Sequence, residues 1–145
     1  MNWKDIKTTQ DNTSFLYNGN ILFHKKFIEV LKFHAPGLAP VLDDSGAYHI
    51  TTQGDPLYTY RYRRTFGFYD NRAAVIDYNN KWFHINEKGE RVYSKNFSWV
   101  GNYQENYCTV RDEQNKYYHI DLLGNESYVE RYTYVGDYKD GIACV

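Results

Sequence analysis

The sequence predicts an all-β fold of tandem antiparallel β-hairpin or meander repeats, each of about 35 residues, stacked as a solenoid-like array. Three observations support this prediction. Three histidines recur at a fixed offset of 35 residues, each followed by isoleucine and, five positions after the histidine, by glycine; these residues are His49, His84 and His119 with Gly54, Gly89 and Gly124. Aromatic residues make up 19% of the chain, and turn-forming residues recur with the same period. We therefore assign the histidines and glycines a structural role in the repeat.

Aromatic side chains recur in the same register as the histidines. The equivalent sets are Tyr48, Phe83 and Tyr118; Tyr58, Tyr93 and Tyr128; Tyr62, Phe97 and Tyr132; and Phe68, Tyr103 and Tyr138. Side chains two residues apart in an extended segment share one face, so several of these rings fall on the same side. Thin β-repeats need large flat side chains to fill a shallow core, and we expect these rings to form it.

Three turn signals divide every period into short strands. The first is an acidic residue followed by asparagine or glycine, as at Asp70-Asn71, a pair that suits the positive φ of a two-residue hairpin. The second lies at Asn79-Asn80 and its equivalents, and the third is the stretch that ends at each repeated glycine. The segments 72–77 and 81–85 are the clearest strands. Each unit is therefore predicted to be a small antiparallel meander.

A degenerate copy precedes the three clear ones. Gly19, Phe23 and Phe27 stand 35 positions before Gly54, Tyr58 and Tyr62, and residues 37–41 parallel residues 141–145 with one residue fewer in the turn leading to His49. This alignment favours a strand over a helix for residues 25–33. Terminal copies of repeat proteins are commonly atypical. The predicted organisation is a helical or irregular cap at 1–13 and a single domain at 14–145, with units at approximately 14–48, 49–83, 84–118 and 119–145.

The last unit breaks off at Val145, which aligns with Val75 and Val110 in the middle of the repeated phrase. We expect either a longer protein beyond this point or an open strand edge that another chain, including a second copy, covers. The alternative architecture is an incomplete β-propeller, because four short strands per unit also suit a propeller blade.

Two phrases of the chain resemble the two halves of a WG repeat: Tyr-Lys-Asp-Gly-Ile-Ala-Cys-Val at 138–145 and Lys-Trp-Phe-His-Ile-Asn-Glu-Lys-Gly at 81–89. The resemblance to this family covers nearly the whole chain after residue 14. Tyr48-His49, Phe83-His84 and Tyr118-His119 stand where the family has Trp-Gly, so the chain looks like a divergent branch. The resemblance implies a β-repeat array that often accompanies other domains, and it implies no general catalytic motif.

Composition argues against several classes of function. Lysine and arginine number 17 against 18 acidic residues, so the net charge of −1 gives no reason to expect nucleic acid or an anionic membrane surface as a partner. No apolar run approaches the length of about 18 residues that a membrane span needs, and the first residues lack the apolar core of a secretory signal. A cytoplasmic location is therefore predicted. Cys108 and Cys144 occupy apolar strand positions and are predicted to be buried thiols rather than a disulfide.

The sequence lacks the common catalytic and metal-binding motifs: a nucleophile elbow, a phosphate-binding glycine loop, paired cysteines or His-Glu-x-x-His. The carboxylates that recur at Asp77 and Asp112 are explained by turn geometry. Equivalent histidines of successive multi-stranded units lie too far apart to converge on one metal ion. We expect each histidine to bond one nitrogen to a backbone or carboxylate partner, with a pH-sensitive stack as the alternative. The prediction is a protein that is not an enzyme and binds no cofactor or metal.

Binding is expected where the copies differ. The candidate binding surface consists of Trp82, Trp99, Tyr117, Tyr134, Arg61 and Arg131. Repeat arrays present long surfaces and can add a strand at an open edge, which favours a protein or peptide partner. Carbohydrate binding by exposed aromatic rings is the alternative. The sequence therefore predicts a non-catalytic interaction module.

Overall fold

The structure is a computed structural model that describes residues 1–126. These residues form one 3-10 helix, Trp3–Asp5, and twelve strands in four three-stranded antiparallel sheets. Sheet 1 contains β1 (Ile6–Thr8), β2 (Phe15–Tyr17) and β3 (Asn20–Leu22); sheet 2 contains β4 (Glu29–Val30), β5 (Ala39–Asp43) and β6 (Gly46–Ile50); sheet 3 contains β7 (Arg64–Tyr69), β8 (Arg72–Ile76) and β9 (Trp82–Ile85); sheet 4 contains β10 (Trp99–Val100), β11 (Cys108–Arg111) and β12 (Tyr117–Ile120). The prediction of an all-β fold of short antiparallel meanders is confirmed.

A further segment runs alongside the third strand in sheets 2 and 3. Residues 56–62 meet β6 through bridges of Ile50 with Pro56 and of Ala47 with Tyr62, and residues 91–97 meet β9 in the equivalent way. We call these stretches the outer segments. Each leads directly to the first strand of the next sheet, so a unit comprises three strands and one outer segment.

Positive φ angles mark the predicted turns. Asp70 and Asn71 have φ of 50° and 61° in the two-residue connection between β7 and β8, a combination that matches the twist of the flanking strands. The deletion predicted before His49 also has a structural counterpart. Only Asp44 and Ser45 connect β5 to β6, whereas residues 77–81 connect β8 to β9.

Both faces of sheet 3 are buried, because the sheets pack face to face in chain order. Ala73, Val75, Phe83 and Ile85 belong to one apolar cluster with the core of sheets 1 and 2, whereas Ala74 belongs to the cluster around sheet 4. Alternate residues of a strand point to opposite faces, and this explains the continuous apolar run at 73–76. Apolar core therefore lies on both faces of sheet 3, shared with sheets 1 and 2 on one face and with sheet 4 on the other.

Sheet 1 differs in detail from the sheets that follow. β1 lies within residues 1–13, the stretch predicted to be a helical or irregular cap, and the 3-10 helix precedes it. Asn18 and Gly19, with φ of 50° and 79°, connect β2 directly to β3. Residues 25–33 contain β4 and no helix, in agreement with the strand prediction. The division into a cap and four units remains a prediction.

Several sequence predictions lie outside the described residues. They concern Arg131, Tyr134, Cys144, the aromatic positions from Tyr128 onward and the edge at Val145 with its proposed self-association. Within residues 1–126, no helix is long and apolar enough to cross a membrane.

Candidate functional site

The repeated histidines lie where neighbouring sheets meet. His49, on β6, is fully buried, and its Nε2 lies 2.6 Å from the carbonyl oxygen of Phe66 on β7. Its Nδ1 lies 2.6 Å from the hydroxyl oxygen of Tyr58 in the outer segment. A carbonyl oxygen only accepts hydrogen bonds, so Nε2 carries the proton and Nδ1 accepts from the Tyr58 hydroxyl. The neutral ring thereby joins sheet 2 to the first strand of sheet 3.

His84 repeats this arrangement one sheet later. Its Nε2 lies 2.9 Å from the carbonyl oxygen of Gly101, and its Nδ1 lies 2.7 Å from the hydroxyl oxygen of Tyr93. The buried thiol of Cys108 donates to the same Gly101 carbonyl at 3.1 Å. The sequence predicted a partner for one nitrogen of each histidine, and in His49 and His84 the structure has partners for both.

A β-bulge in sheet 3 accompanies the His49 contact. The register of β7 against β8 shifts between Thr65 and Phe68, so Phe66 lies in the irregular part of the strand. Bulges bend a strand and re-aim its groups. We attribute the inward position of the Phe66 carbonyl to this irregularity.

Burial keeps these groups neutral. It lowers the pKa of both His49 and His84 to about 4, because the charged imidazolium would lose its hydration in the core. Burial also raises the pKa of Tyr58 and of Tyr93, so both hydroxyls keep their protons. At neutral pH these contacts are therefore hydrogen bonds between uncharged groups.

The repeated glycines complete the contact between sheets. Gly89, with φ of 80°, packs against the ring of Tyr58, and a Cβ placed on it would lie 2.6 Å from Cγ of that ring. Gly124 meets Tyr93 in the same way, since a Cβ placed on it would clash with the Tyr93 ring. The hydroxyl of Tyr62 also donates to the Gly89 carbonyl at 2.8 Å. These glycines are therefore required both by their backbone conformation and by the aromatic ring of the preceding unit.

We use the term junction for a buried ring, its aromatic partner in the outer segment, and the carbonyl and glycine that meet them from the next sheet. The junction between sheets 2 and 3 comprises His49, Tyr58, Phe66 and Gly89; that between sheets 3 and 4 comprises His84, Tyr93, Gly101 and Gly124. Each junction combines two hydrogen bonds with one close ring contact.

The junction between sheets 1 and 2 is apolar. Phe15 is fully buried, with its ring centroid 4.9 Å from that of Phe33 and 6.0 Å from that of Phe23. The corresponding distances for His49 are 4.6 Å to Phe68 and 5.7 Å to Tyr58. Phe15 thus fills the place of the histidine ring, although the constant offset aligns Ser14 with His49. The short connection between β2 and β3 removes one residue and accounts for this shift.

The described aromatic residues of the predicted binding surface lie in two ring contacts, one on sheet 3 and one on sheet 4. Trp82 stacks on Phe66, with ring centroids 5.7 Å apart and an angle of 8° between the planes. Trp99 lies on sheet 4 beside Tyr117, with centroids 6.4 Å apart. All four rings are half-buried. One face of the Trp82 indole is already occupied by a neighbouring ring.

Arg61 also has an internal role. Its guanidinium lies 3.9 Å from the centroid of the Tyr48 ring and donates to the carbonyls of Tyr58, Thr59 and Tyr60. Its Nε donates to the hydroxyl of Ser45 at 2.8 Å. The side chain therefore braces the outer segment against sheet 2.

The recurring carboxylates lie in turns. Asp77 Oδ1 accepts from the backbone N–H groups of Asn79 and Lys81, at 2.8 and 3.0 Å. Asp112 Oδ1 accepts in the same pattern from residues 114 and 116, at 2.9 Å each. Within residues 1–126, no group of three or more His, Cys, Asp or Glu side chains is arranged to hold a metal ion.

A groove near the N-terminus was missed by the sequence reasoning. It measures about 490 Å³ and is lined by Trp3, Lys4, Ile6, Lys7, Thr8, Lys32, Phe33 and His34. Residues 1–13 lie outside the 35-residue repeat of the sequence, so the period predicts no site among them. The available signal was local: Trp3 is followed by Lys4 and Lys7 in a segment predicted to be helical or irregular.

Sequence comparisons identify no relative: no protein-family model matches the chain, and no curated protein matches it. Among solved structures, the chain is similar to the computationally designed Ika8 protein, with a TM-score of 0.56 and 13% sequence identity. The alignment covers 95% of this chain and 50% of that chain, so this chain spans about half the length of the designed protein. At this identity the similarity shows the fold alone, and the WG-repeat resemblance remains a prediction.

Proposed function

We propose that the chain is a non-catalytic repeat module that binds a protein or peptide partner. The observation that carries this proposal is that the histidines, the cysteine and the aspartates that could perform chemistry make internal hydrogen bonds instead. His49, His84 and Cys108 are buried and hydrogen-bonded within the junctions, and Asp77 and Asp112 accept backbone hydrogen bonds in turns. The repeated histidines and carboxylates therefore have structural roles, and residues that differ between units are found in the turns between the first and second strands.

One row of turns supports a partner-binding surface. The turns between the first and second strands of sheets 2, 3 and 4 are neighbours in space: the His34 and Tyr69 rings lie 4.8 Å apart, and the N–H of Asn106 donates to Asp70 Oδ2 at 3.0 Å. Their sequences differ, with Ala-Pro-Gly at 35–37, Asp-Asn at 70–71 and Glu-Asn at 105–106. A rigid scaffold that displays varied loops is a common way to build a binding surface.

Selection from a displayed peptide library tests this proposal. The expected result is a set of enriched peptides whose affinity falls when Asp70 and Glu105 are both changed to lysine. The matched control changes Asp44 and Glu113 to lysine, which reverses the same charge in the turns between second and third strands. Failure to enrich any peptide over an unrelated β-domain used as bait would contradict the proposal.

Carbohydrate binding is the second candidate, and the half-exposed indoles of Trp82 and Trp99 favour it. Flat aromatic rings stack on sugar faces, but the Phe66 ring already covers one face of Trp82. A glycan array separates the two functions. Binding to a defined glycan that is lost in both Trp82→Leu and Trp99→Leu would favour the carbohydrate function over the peptide one.

We also infer that the sheets follow one another as in an open β-propeller rather than as a straight solenoid-like line. Twisted sheets that pack face to face rotate relative to one another, and a four-segment meander suits a propeller blade. Small-angle X-ray scattering of the chain tests the arrangement. A scattering profile that fits a straight stack better than an arc of sheets would contradict it.

A further inference from the structure

The groove near the N-terminus combines a basic rim with an apolar floor. Lys4, Lys7 and Lys32 are exposed and line it, whereas Ile6 and Phe33 are only 5% and 3% exposed. The 3-10 helix and β1 form one wall, and the segment after β4 forms the other. The groove therefore belongs to both sheet 1 and sheet 2.

Its charge is concentrated and uncompensated. The groove lining contains three lysines and no acidic residue, in a chain whose net charge is −1. Asp5 lies in the 3-10 helix between Lys4 and Lys7, but it does not line the groove. Three lysines elsewhere in the described part of the chain form ion pairs: Lys25 with Asp43 and Lys81 with Glu113, each at 2.9 Å, and Lys95 with Glu126 at 3.7 Å. Among residues 1–126, no ion pair includes a groove lysine.

The aromatic wall of the groove is held in place by its neighbours. The Trp3 ring stacks on His34, with centroids 6.4 Å apart and 29° between the planes, and His34 packs on Tyr69 of sheet 3. A Cβ on Gly37 would lie 3.3 Å from Trp3 Cδ1, so the turn after β4 fits closely against the indole. The Nδ1 atom of His34 is buried and has no hydrogen-bond partner within the described residues. The wall is therefore preformed, with an unsatisfied nitrogen behind it.

We propose that this groove binds an acidic segment of a partner protein, with carboxylates on the three lysines and the peptide chain against Trp3. The proposal rests on the interaction function above and adds a second contact site, whose charge preference is opposite to that of the acidic turns at Asp70 and Glu105. Charge complementarity speeds encounter and selects a partner, and the indole supplies a flat apolar contact. One tryptophan without a row of interleaved basic and aromatic residues fits a short peptide better than a nucleic-acid strand.

Fluorescence anisotropy with defined probes tests the proposal. The probes are a fluorescein-labelled glutamate-rich peptide, its lysine-rich counterpart and a labelled single-stranded oligonucleotide. The key variant carries Lys4→Gln, Lys7→Gln and Lys32→Gln. The matched control carries Lys26→Gln, Lys88→Gln and Lys116→Gln, which removes the same charge from exposed positions outside the groove. Circular dichroism melting checks that both variants remain folded.

We expect the wild-type chain to bind the acidic peptide, and the key variant to bind it about tenfold more weakly, because each exposed pair contributes a few-fold. The control variant should change the affinity less than about twofold, and Trp3→Leu should weaken binding while retaining its salt dependence. Equal losses in the two lysine variants would overturn the proposal, because net charge alone would then explain binding.

Two further results would also overturn the proposal. The first is no binding of the acidic peptide to the wild-type chain. The second is that the wild-type chain binds the oligonucleotide more tightly than the acidic peptide and that the key variant loses this oligonucleotide binding. These outcomes are distinct from failure of the interaction function. Peptides enriched from the library that depend on Asp70 and Glu105 would leave that function standing while the groove proposal falls.

Discussion

Replacing Gly89 with alanine tests the contact between sheets 2 and 3, and the chain supplies its own control. Gly89 and Gly19 have almost the same φ, 80° and 79°, so alanine meets the same backbone strain at both positions. A Cβ on Gly19 has no atom within 4 Å, whereas a Cβ on Gly89 lies 2.6 Å from Tyr58 Cγ and 2.8 Å from its Cβ. The difference between the two variants therefore isolates the packing of one sheet on the next.

The expected magnitudes follow from these distances. Placing alanine at positive φ costs about 1 kcal/mol, which is the whole expected effect of Gly19→Ala. The Gly89 clash involves atoms close to the Tyr58 backbone, which cannot move aside cheaply, and such overpacking adds about 2 kcal/mol. Gly89→Ala is therefore expected to lower the free energy of unfolding by about 3 kcal/mol in total. For a chain of this size, each kcal/mol corresponds to a Tm shift of about 2–4 °C.

Urea unfolding followed by circular dichroism measures both variants. The midpoint should fall much further for Gly89→Ala than for Gly19→Ala, with similar slopes. In the double variant Tyr58→Ala and Gly89→Ala, the losses should be less than additive, because removing the ring relieves the clash. Equal destabilisation by the two glycine variants, or strict additivity in the double variant, would refute the packing argument.

The remaining predictions concern pH, one hydroxyl and one turn. Because burial lowers the pKa of His49 and His84 to about 4, below the value of about 6.5 in the unfolded chain, their contribution is complete above pH 6.5 and is lost as the pH falls towards 4. At pH 5, each of the two histidines should lower the free energy of unfolding by about 2 kcal/mol relative to pH 7. An unchanged Tm between pH 7 and pH 5 would contradict this prediction. Tyr62→Phe should lower the free energy of unfolding by about 1 kcal/mol, measured in urea, because a buried hydrogen bond to the next sheet is lost; Tyr60→Phe, at a residue 54% exposed, should have no effect. Asp77→Ala should lower the free energy of unfolding by about 1 kcal/mol in the same assay, because two backbone N–H groups lose their acceptor. Asp77→Asn keeps an acceptor oxygen and should retain most of the stability. Equal losses in the two variants would exclude the turn role.

The period of the sequence predicted the fold class because the same physical demand is met in every unit. One position must be glycine because an aromatic ring of the previous unit packs against it. Another must be a ring that reaches the first strand of the next sheet. Few residue types satisfy either demand, so the same residues recur at one offset. Turn residues with positive φ recur for the same reason, as Asp70 and Asn71 illustrate. These constraints are local enough to be visible in the amino-acid sequence.

Other features could not be predicted because they depend on which residues meet across sheets. A constant offset aligned Ser14 with His49, whereas a shorter turn brings Phe15 to that place. The offset also gave no hint that Trp82 would stack on Phe66, since the two residues belong to different strands of one sheet. The basic groove joins residues 3–8 to residues 32–34, and only the packing of sheet 1 on sheet 2 brings them together.

The central claim is that neutral histidines join neighbouring sheets by donating to a backbone carbonyl and accepting from a tyrosine. Nitrogen NMR of histidine-labelled protein measures this most directly, because it reports which ring nitrogen carries the proton. We expect His49 and His84 to be protonated at Nε2 and bare at Nδ1, and to remain neutral at pH 5.5, below the usual histidine pKa. A proton on Nδ1, or a charged ring at that pH in the folded protein, would contradict the account.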